Sequence, residues 1–229
     1  MTHNPIIVAL DVETAADARA LVARLGSQVN FYKVGMELYA SAGIEFVREL
    51  TGEGKDVFLD LKFYDIPETV RRAVAQVART RVRFLTIHAV PSAMRAAVEG
   101  RAGSDLKLLG VTVLTSFGPE DMEELNYHGT VSELVERRAR KAMEIGMDGI
   151  VTSPLEVAAV RRITGPSAIL VTPGIRSAGA DRGDQKRVAT PAEAMAAGAD
   201  YLVIGRQITR AADPVAETNR VLAELCVAG

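Results

Sequence analysis

Charged side chains of alternating sign close several of the short apolar runs of this chain. Four ionisable residues share this placement: Asp11, Lys33, Asp60 and Lys62. An ammonium that points into a fold is costly to bury unless a carboxylate pairs with it. Lysines and aspartates in such positions therefore predict one shared polar site. Carboxylates and ammonium groups held together can stabilise developing charge and move protons.

The run that ends at Lys62 shows how strand alternation sorts these side chains. Every second side chain of a strand shares a face. Positions 57, 59 and 61 are apolar and suit packing on helices, whereas the other face carries Phe58, Asp60 and Lys62. Both charges fall at the C-terminal end of the run. The same alternation places Asp11 and Lys33 on inward faces of earlier runs.

Eight apolar runs alternate with segments of helical periodicity. The runs are Ile6–Leu10, Phe31–Val34, Val57–Leu61, Phe84–Ile87, Leu108–Leu114, Gly149–Val151, Ile169–Val171 and Tyr201–Ile204. This alternation predicts an α/β fold with a parallel sheet. Eight units in 229 residues favour a single-domain (β/α)₈ TIM barrel over residues 1–229, with an open doubly wound sheet as the alternative. Active sites of such barrels lie at the C-terminal mouth, where the charges fall.

Composition narrows the classes of function. Hydrophobic residues make up 48%, charged residues 24%, and the formal net charge is −2, which argues against a broad nucleic-acid-binding surface. No apolar run approaches the ~20 residues of a membrane span. The single cysteine, Cys226, cannot form an intrachain disulfide, and the first residues lack the features of a signal peptide. We expect a cytoplasmic protein that binds neither nucleic acid nor membrane, and no zinc site.

A second group of residues predicts a phosphate site. The seventh run leads through Pro173 to Arg176, and a long irregular stretch with Gln185 among basic residues follows. Long loops in compact domains are often lids or binding loops. The eighth run ends at Gly205 and Arg206, and barrels frequently bind phosphate with the loops after strands seven and eight. A solvated loop and a strand-ending turn are the structural alternative.

Other polar residues have local structural explanations. Asp65 stands three residues before Glu68, which is the spacing of a capping box. Ser153 and Thr190 are each followed by Pro and then by Glu at the third helical position, so both predict helix starts. His88 ends the fourth run with no carboxylate at motif spacing, and we interpret it as structural.

Together these motifs resemble the orotidine 5'-phosphate decarboxylase family. The segment Asp60-Leu61-Lys62-Phe63-Tyr64-Asp65-Ile66-Pro67 is similar to that family's D-x-K-x-x-D-I-P signature. Further similar segments follow in family order: Ala9-Leu10-Asp11, Lys33-Val34-Gly35, Leu114-Thr115-Ser116, Pro173-Gly174-Ile175-Arg176, Asp184-Gln185-Lys186-Arg187 and Ile204-Gly205-Arg206. D-x-K-x-x-D is shared with related barrels, but the combination is specific.

The resemblance implies decarboxylation of orotidine 5'-monophosphate (OMP) to uridine 5'-monophosphate (UMP), the last step of de novo pyrimidine biosynthesis. It implies no metal, no organic cofactor, and a homodimer with shared active sites. The implied catalytic residues are Lys62, which protonates C6 after CO₂ leaves, with Asp60, Asp65 and Lys33. The implied substrate-binding residues are Asp11, Lys33, Asp60, Ile66, Thr69, Thr115, Ser116, Pro173, Arg176, Gln185, Gly205 and Arg206. Among them, Asp65, Ile66 and Thr69 are implied to serve the neighbouring subunit's site.

Two other functions stay open. Mg²⁺-dependent sugar-phosphate aldolases and 3-keto-acid decarboxylases of the same superfamily share D-x-K-x-x-D, but the Ile66-Pro67 continuation and the segment from Pro173 to Gln185 argue against them. A catalytically inactive phosphate-binding protein on this scaffold would lack one of the four implied catalytic residues, and Lys33, Asp60, Lys62 and Asp65 are all present.

Overall fold

The strands form the inner wall of the fold. The computed structural model describes residues 4–177 and 188–226. In this part of the chain, eight parallel strands close into a barrel in sequence order. They are β1 (Ile6–Ala9), β2 (Phe31–Gly35), β3 (Asp56–Phe63), β4 (Phe84–His88), β5 (Lys107–Val111), β6 (Gly149–Val151), β7 (Ile169–Thr172) and β8 (Tyr201–Ile204). The predicted (β/α)₈ barrel is confirmed, and the open sheet is excluded because β8 pairs with β1.

Helices follow the strands and pack around the barrel. They are α1 (Ala15–Leu25), α2 (Met36–Gly52), α3 (Pro67–Ala78), α4 (Pro91–Gly100), α5 (Pro119–Glu124), α6 (Val131–Ile145), α7 (Val157–Thr164), α8 (Pro191–Ala196), α9 (Arg206–Thr209) and α10 (Pro214–Cys226). Two connections carry an additional helix, since α5 and α6 both follow β5 and α9 and α10 both follow β8. None of the helices in the described residues is long and apolar enough to cross a membrane.

Strand alternation divides the core into two layers. Phe31, Phe58 and Phe84 lie inside the barrel, where the ring of Phe84 is 5.0 Å from that of Phe31 and 6.0 Å from that of Phe58, centroid to centroid. Val57 and Leu59, the neighbours of Phe58 along β3, are fully buried in the outer layer against the helices. The interior is therefore a packed floor, and the strand ends rise above it at the mouth of the barrel.

The strand ends differ from prediction by more than one residue at two places. The run predicted to reach Leu114 ends as a strand at Val111, because the carbonyl of Thr112 accepts a hydrogen bond from the Arg138 guanidinium on α6. The third strand continues to Phe63, and its register with β4 shifts beyond Leu59. Both irregularities lie at the mouth of the barrel.

The capping prediction at Thr190 is confirmed. Its hydroxyl accepts from the Glu193 amide, and the Glu193 carboxylate accepts from the Thr190 amide at 2.8 Å. The prediction at Ser153 is wrong, since α7 begins only at Val157. The Ser153 carbonyl accepts from the amide of Glu156, and this turn delays the helix.

The capping box predicted at Asp65 is also wrong. The N-cap of α3 is Ile66, without a side-chain cap, and Asp65 accepts from the adjacent Ile66 amide at 2.6 Å. Glu68 is drawn away from the helix start because its carboxylate accepts two hydrogen bonds from Arg71. Asp65 is therefore not needed to begin the helix.

Candidate active site

A cavity of about 470 Å³ opens at the C-terminal mouth of the barrel. Its volume lies within the roughly 300–1,000 Å³ usual for small-molecule sites. Strand ends, the loops after β5 and β7, and the start of α9 form its wall. The predicted site residues that line it are Asp11, Lys33, Asp60, Lys62, Thr115, Pro173, Arg176, Gly205 and Arg206.

The four charged strand-end residues form one continuous array. Lys33 Nζ lies 2.8 Å from Asp11 Oδ1 and 3.8 Å from Asp60 Oδ2, and Lys62 Nζ lies 2.8 Å from Asp60 Oδ1. Each ammonium thus has a carboxylate partner, which offsets the cost of its burial. Gly35 leaves room for this pairing, because a Cβ there would stand 2.9 Å from Lys33 Nζ.

A buried threonine holds the array from the neighbouring strand. Thr86 donates its hydroxyl to Asp60 Oδ1 at 3.0 Å and accepts from the Lys62 amide at 2.8 Å. Lys62 has a φ of 50°, a conformation that costs a non-glycine residue energy and that is concentrated at functional sites. Lys62 therefore reaches the site through a bulge in β3 rather than through regular alternation. Sequence analysis missed Thr86, although its position two residues after the inward Phe84 is a signal.

Three arginines give one wall of the cavity a positive charge. Arg176 follows β7, and Arg206 and Arg210 lie on α9 and just after it. Sequence analysis missed Arg210, although it stands four residues after Arg206 and thus on the same helix face. A Cβ on Gly205 would not clash with the described residues, since its nearest atoms would lie 3.6 Å away. The three guanidinium groups give this wall the charge that attracts an anion.

The loop after β5 supplies a polar edge beside an apolar surface. Thr115 is half-buried and lines the cavity, whereas Ser116 is exposed and does not. Val111, Val113 and Val151 line the cavity as well. Sequence analysis did not name these valines, because apolar strand residues carry no signal that separates a site wall from ordinary core.

Besides Ser116, three predicted residues stand outside their own chain's cavity. Asp65, Ile66 and Thr69 lie on the β3–α3 connection and the first turn of α3, and all are exposed. Ile66 is 68% exposed, as few isoleucines are, and its neighbour Tyr64 is 62% exposed. Gln185 lies outside the described residues.

His88 closes β4 just outside this cavity. Its ring is half-buried and meets the ring of Tyr64 edge to face at 6.0 Å. Burial lowers the pKa of His88 from its ordinary value of 6.5, and the positive charges of Lys62 and Arg138 lower it further, while Asp60 opposes them. A neutral imidazole therefore adds no third positive charge beside Lys62 at neutral pH.

We predict that His88 makes the fold less stable as the pH falls below about 6.5. Histidine in the unfolded chain binds a proton near that pH, whereas the folded chain resists it, so the free energy of unfolding declines with falling pH. The substitution His88→Gln should make the free energy of unfolding depend less steeply on pH. The change in slope should be smaller than ~1.4 kcal/mol per pH unit, which is the slope for uptake of one full proton on unfolding. Urea titrations between pH 5 and 7 measure it, with His128→Gln as control because His128 is exposed and lies in a loop. An identical pH slope in His88→Gln and wild type would contradict the prediction.

Comparisons with known proteins agree with this geometry. The model of the orotidine 5'-phosphate decarboxylase / HUMPS family matches residues 4–221. The chain is 54% identical over 225 residues to orotidine 5'-phosphate decarboxylase of Nitrobacter winogradskyi, covering 98% of this chain and 94% of the relative. It is 52% identical to the protein of that name from Afipia carboxidovorans, over the full length of both.

A solved structure gives the same result for the fold. The crystal structure of orotidine 5'-phosphate decarboxylase from Lactobacillus acidophilus superposes with a TM-score of 0.86 at 36% identity, and the match covers 97% of this chain and 99% of that one. The family model, the relatives and the superposition thus extend across the strands and loops that build the cavity. The chain belongs to the orotidine 5'-phosphate decarboxylase / HUMPS family.

Proposed function

We propose that this protein is a carboxy-lyase that converts OMP to UMP, the last step of de novo pyrimidine biosynthesis, with Lys62 as the proton donor. The observation that carries the proposal is the Lys62 ammonium, held 2.8 Å from Asp60 at the mouth cavity of a chain that belongs to this family. The arginine wall of the same cavity supplies the charge that a nucleotide phosphate requires.

The chemistry assigns a demanding role to Lys62. When the bond between C6 and the carboxylate breaks, CO₂ leaves and the electron pair stays on C6 in an sp² orbital that the pyrimidine ring delocalises poorly. Fixed charges of the protein must stabilise that pair. The Lys62 ammonium does so and then transfers a proton to C6, and the neutral amine regains a proton from solvent.

Asp60 and Lys33 set the position of that ammonium. Asp60 accepts from both Lys62 and Thr86, so its carboxylate has little freedom to turn. With the carboxylate of OMP beside Asp60, two like charges raise the energy of the bound substrate, and the departure of CO₂ relieves it. Lys33, together with Asp11, is placed to bind the ribose hydroxyls.

The remaining cavity residues bind the two ends of the nucleotide. Arg206 pairs with the phosphate dianion, with Arg176 and the Gly205 backbone beside it. Thr115, with Ser116, hydrogen-bonds the pyrimidine edge, and Pro173 packs against the substrate. Gln185 bridges phosphate and base. Binding energy from the unreactive phosphate then serves to assemble the site around the reacting carbon.

We predict that the activity survives complete removal of divalent metal. Asp11 and Asp60 already lie against lysine ammonium groups, an arrangement that suits stabilisation by ammonium rather than by Mg²⁺. Exhaustive EDTA treatment should leave the rate of OMP decarboxylation unchanged within error. A rate that falls with EDTA and returns with Mg²⁺ would contradict stabilisation by the ammonium groups alone and would favour the metal-assisted chemistry of the related barrels.

We also propose a cytoplasmic homodimer of single-domain chains in which Asp65 enters the partner's active site. The proposal is supported by the exposure of Asp65, Ile66 and Thr69, which lie at the mouth end of β3 yet outside their own cavity. Exposed large apolar side chains such as Ile66 and Tyr64 often mark protein–protein contacts. Asp65 and Ile66 would then complete the neighbouring site.

Complementation between two inactive variants tests the shared site. Lys62→Ala and Asp65→Asn proteins, each nearly inactive, are unfolded and refolded together in equal amounts. A two-fold dimer pairs an intact Lys62 with an intact Asp65 in one of the two sites of each heterodimer. Random assortment makes about half of the dimers mixed, so activity should recover to about a quarter of wild type.

A matched control uses two lesions from one strand. Lys62→Ala refolded with Asp60→Asn should recover nothing, because both residues belong to the same chain's array and every heterodimer site then carries a lesion. No recovery in the Lys62→Ala and Asp65→Asn mixture, with heterodimers shown to be present by mass spectrometry, would assign Asp65 to its own chain.

A further inference from the structure

We propose that Gln207 is a positioning residue that sets the distance between Arg176 and Arg206, two of the three arginines on the positively charged wall of the cavity. Its side-chain amide joins the loop after β7 to α9, and these two segments carry Arg176 and Arg206. The inference rests on the proposed function, in that it assigns the wall to the substrate phosphate. It adds a residue that does not line the cavity.

The amide of Gln207 is fully engaged. Gln207 Oε1 accepts from the Ser177 amide at 3.0 Å, while Nε2 donates to Ser177 Oγ at 2.7 Å and to Glu217 Oε1 at 2.8 Å. One carbonyl oxygen and both N–H groups of a glutamine amide are thereby used. Ser177 is 2% exposed, so its backbone and hydroxyl depend on protein partners for hydrogen bonds.

Glu217 on α10 fixes which way the amide faces. A hydrogen bond from Arg220, and a further one from Gln207, lower the pKa of Glu217. An ionised carboxylate can only accept, and the Ser177 amide can only donate. Nε2 must therefore face Glu217 and Oε1 must face Ser177. Ser177 and Glu217 therefore determine the orientation of the Gln207 amide that joins the loop after β7 to α9.

The link bears directly on the arginines because of where it attaches. Ser177 directly follows Arg176, and Gln207 directly follows Arg206. On its other side, the Arg176 amide donates to the Ala189 carbonyl at 3.0 Å. The backbone at Arg176 is thus held between Ala189 and Gln207. Because two guanidinium groups bind one phosphate well only at a matched separation, this hold acts on phosphate affinity.

Substitution Gln207→Ala should weaken the site for phosphorylated ligands alone. It leaves two buried groups of Ser177 unsatisfied and frees Arg176 to shift relative to Arg206. We expect kcat/KM for OMP to fall roughly 10- to 100-fold, mainly through KM, with kcat/KM for orotidine, which lacks the phosphate, unchanged. Gln76→Ala, at an exposed position of α3, is the matched control and should change neither value.

Binding without turnover separates this proposal from the proposed function. Calorimetry with UMP and uridine should show the same loss for UMP alone, whether or not the protein decarboxylates OMP. Ser177→Ala removes a single hydrogen bond of the link and should give a smaller loss of the same phosphate-specific kind, which covers the case in which Gln207→Ala folds poorly. Equal losses for UMP and uridine, or no loss for UMP in either folded variant, would overturn the assignment.

Discussion

Lys62→Ala is expected to lose roughly four or more orders of magnitude in kcat while it keeps its fold and its affinity for UMP. A positioned general acid contributes about 10²–10⁴-fold, and a preorganised charge at the developing carbanion contributes about 10²–10³-fold more. Lys62 supplies both effects. UMP carries no carboxylate at C6 and forms no carbanion there, so its binding needs neither.

The fold is expected to survive because alanine bears the same backbone cost as lysine at a φ of 50°. Thr86 still donates to Asp60, and Lys33 lies 3.8 Å away as its remaining counter-charge. Lys141→Ala is the control, since Lys141 lies exposed on α6 and pairs with Glu144. Single-turnover kinetics measure the chemical step, and a kcat of Lys62→Ala within tenfold of wild type would remove Lys62 as the proton donor.

Removal of the substrate phosphate should have the second largest effect. Orotidine is expected to react with a kcat/KM roughly 10³-fold or more below that of OMP, since several charge-assisted hydrogen bonds are lost. Part of the loss should fall on kcat, because the phosphate contacts serve to assemble the site as well as to anchor the substrate. Competition kinetics with the two substrates measure the ratio.

Arg206→Ala should narrow the ratio of the two kcat/KM values, because it should lower kcat/KM for OMP more than kcat/KM for orotidine. Arg206 lines the cavity together with Arg176 and Arg210, so it acts where the phosphate is proposed to bind. Arg162→Ala, an exposed arginine of α7, should leave the ratio unchanged. An OMP preference that persists undiminished in Arg206→Ala would place the phosphate elsewhere.

Sequence alone predicted the barrel and much of the cavity, because both depend on local periodicity. Alternation along a strand fixes which side chains point inward, and it placed Phe58 in the barrel floor and Asp60 at the mouth. Parallel strands of one barrel end at the same rim, so Asp11 and Lys33 fell beside Asp60 although they are far apart in the chain.

Two failures arose where a group that the local pattern had assigned is taken by another side chain. Arg71 takes the carboxylate of Glu68 and leaves no capping box at Asp65. Arg138 takes the Thr112 carbonyl and ends β5 early. The Glu68–Arg71 contact is local to α3 and competes with the capping box at a spacing of three residues, whereas no local pattern marks the contact of Arg138 with the end of β5.

The bulge at Lys62 shows a further limit of sequence patterns. The bulge depends on the hydroxyl of Thr86 on the next strand. Alternation therefore predicted correctly that Lys62 reaches the site, but it assumed a regular strand where the backbone bulges. Prediction from sequence therefore located most of the charges of the site, but it missed Arg210 and the Thr86 hydroxyl that holds Asp60 and Lys62.

The most direct test is a spectrophotometric assay of the purified chain with OMP, supported by chromatography of the products. We predict that the absorbance of OMP declines as one UMP and one CO₂ form for each OMP consumed. A correctly folded protein that binds UMP and leaves OMP unchanged would contradict the proposed function and would identify the chain as an inactive phosphate-binding member of its family.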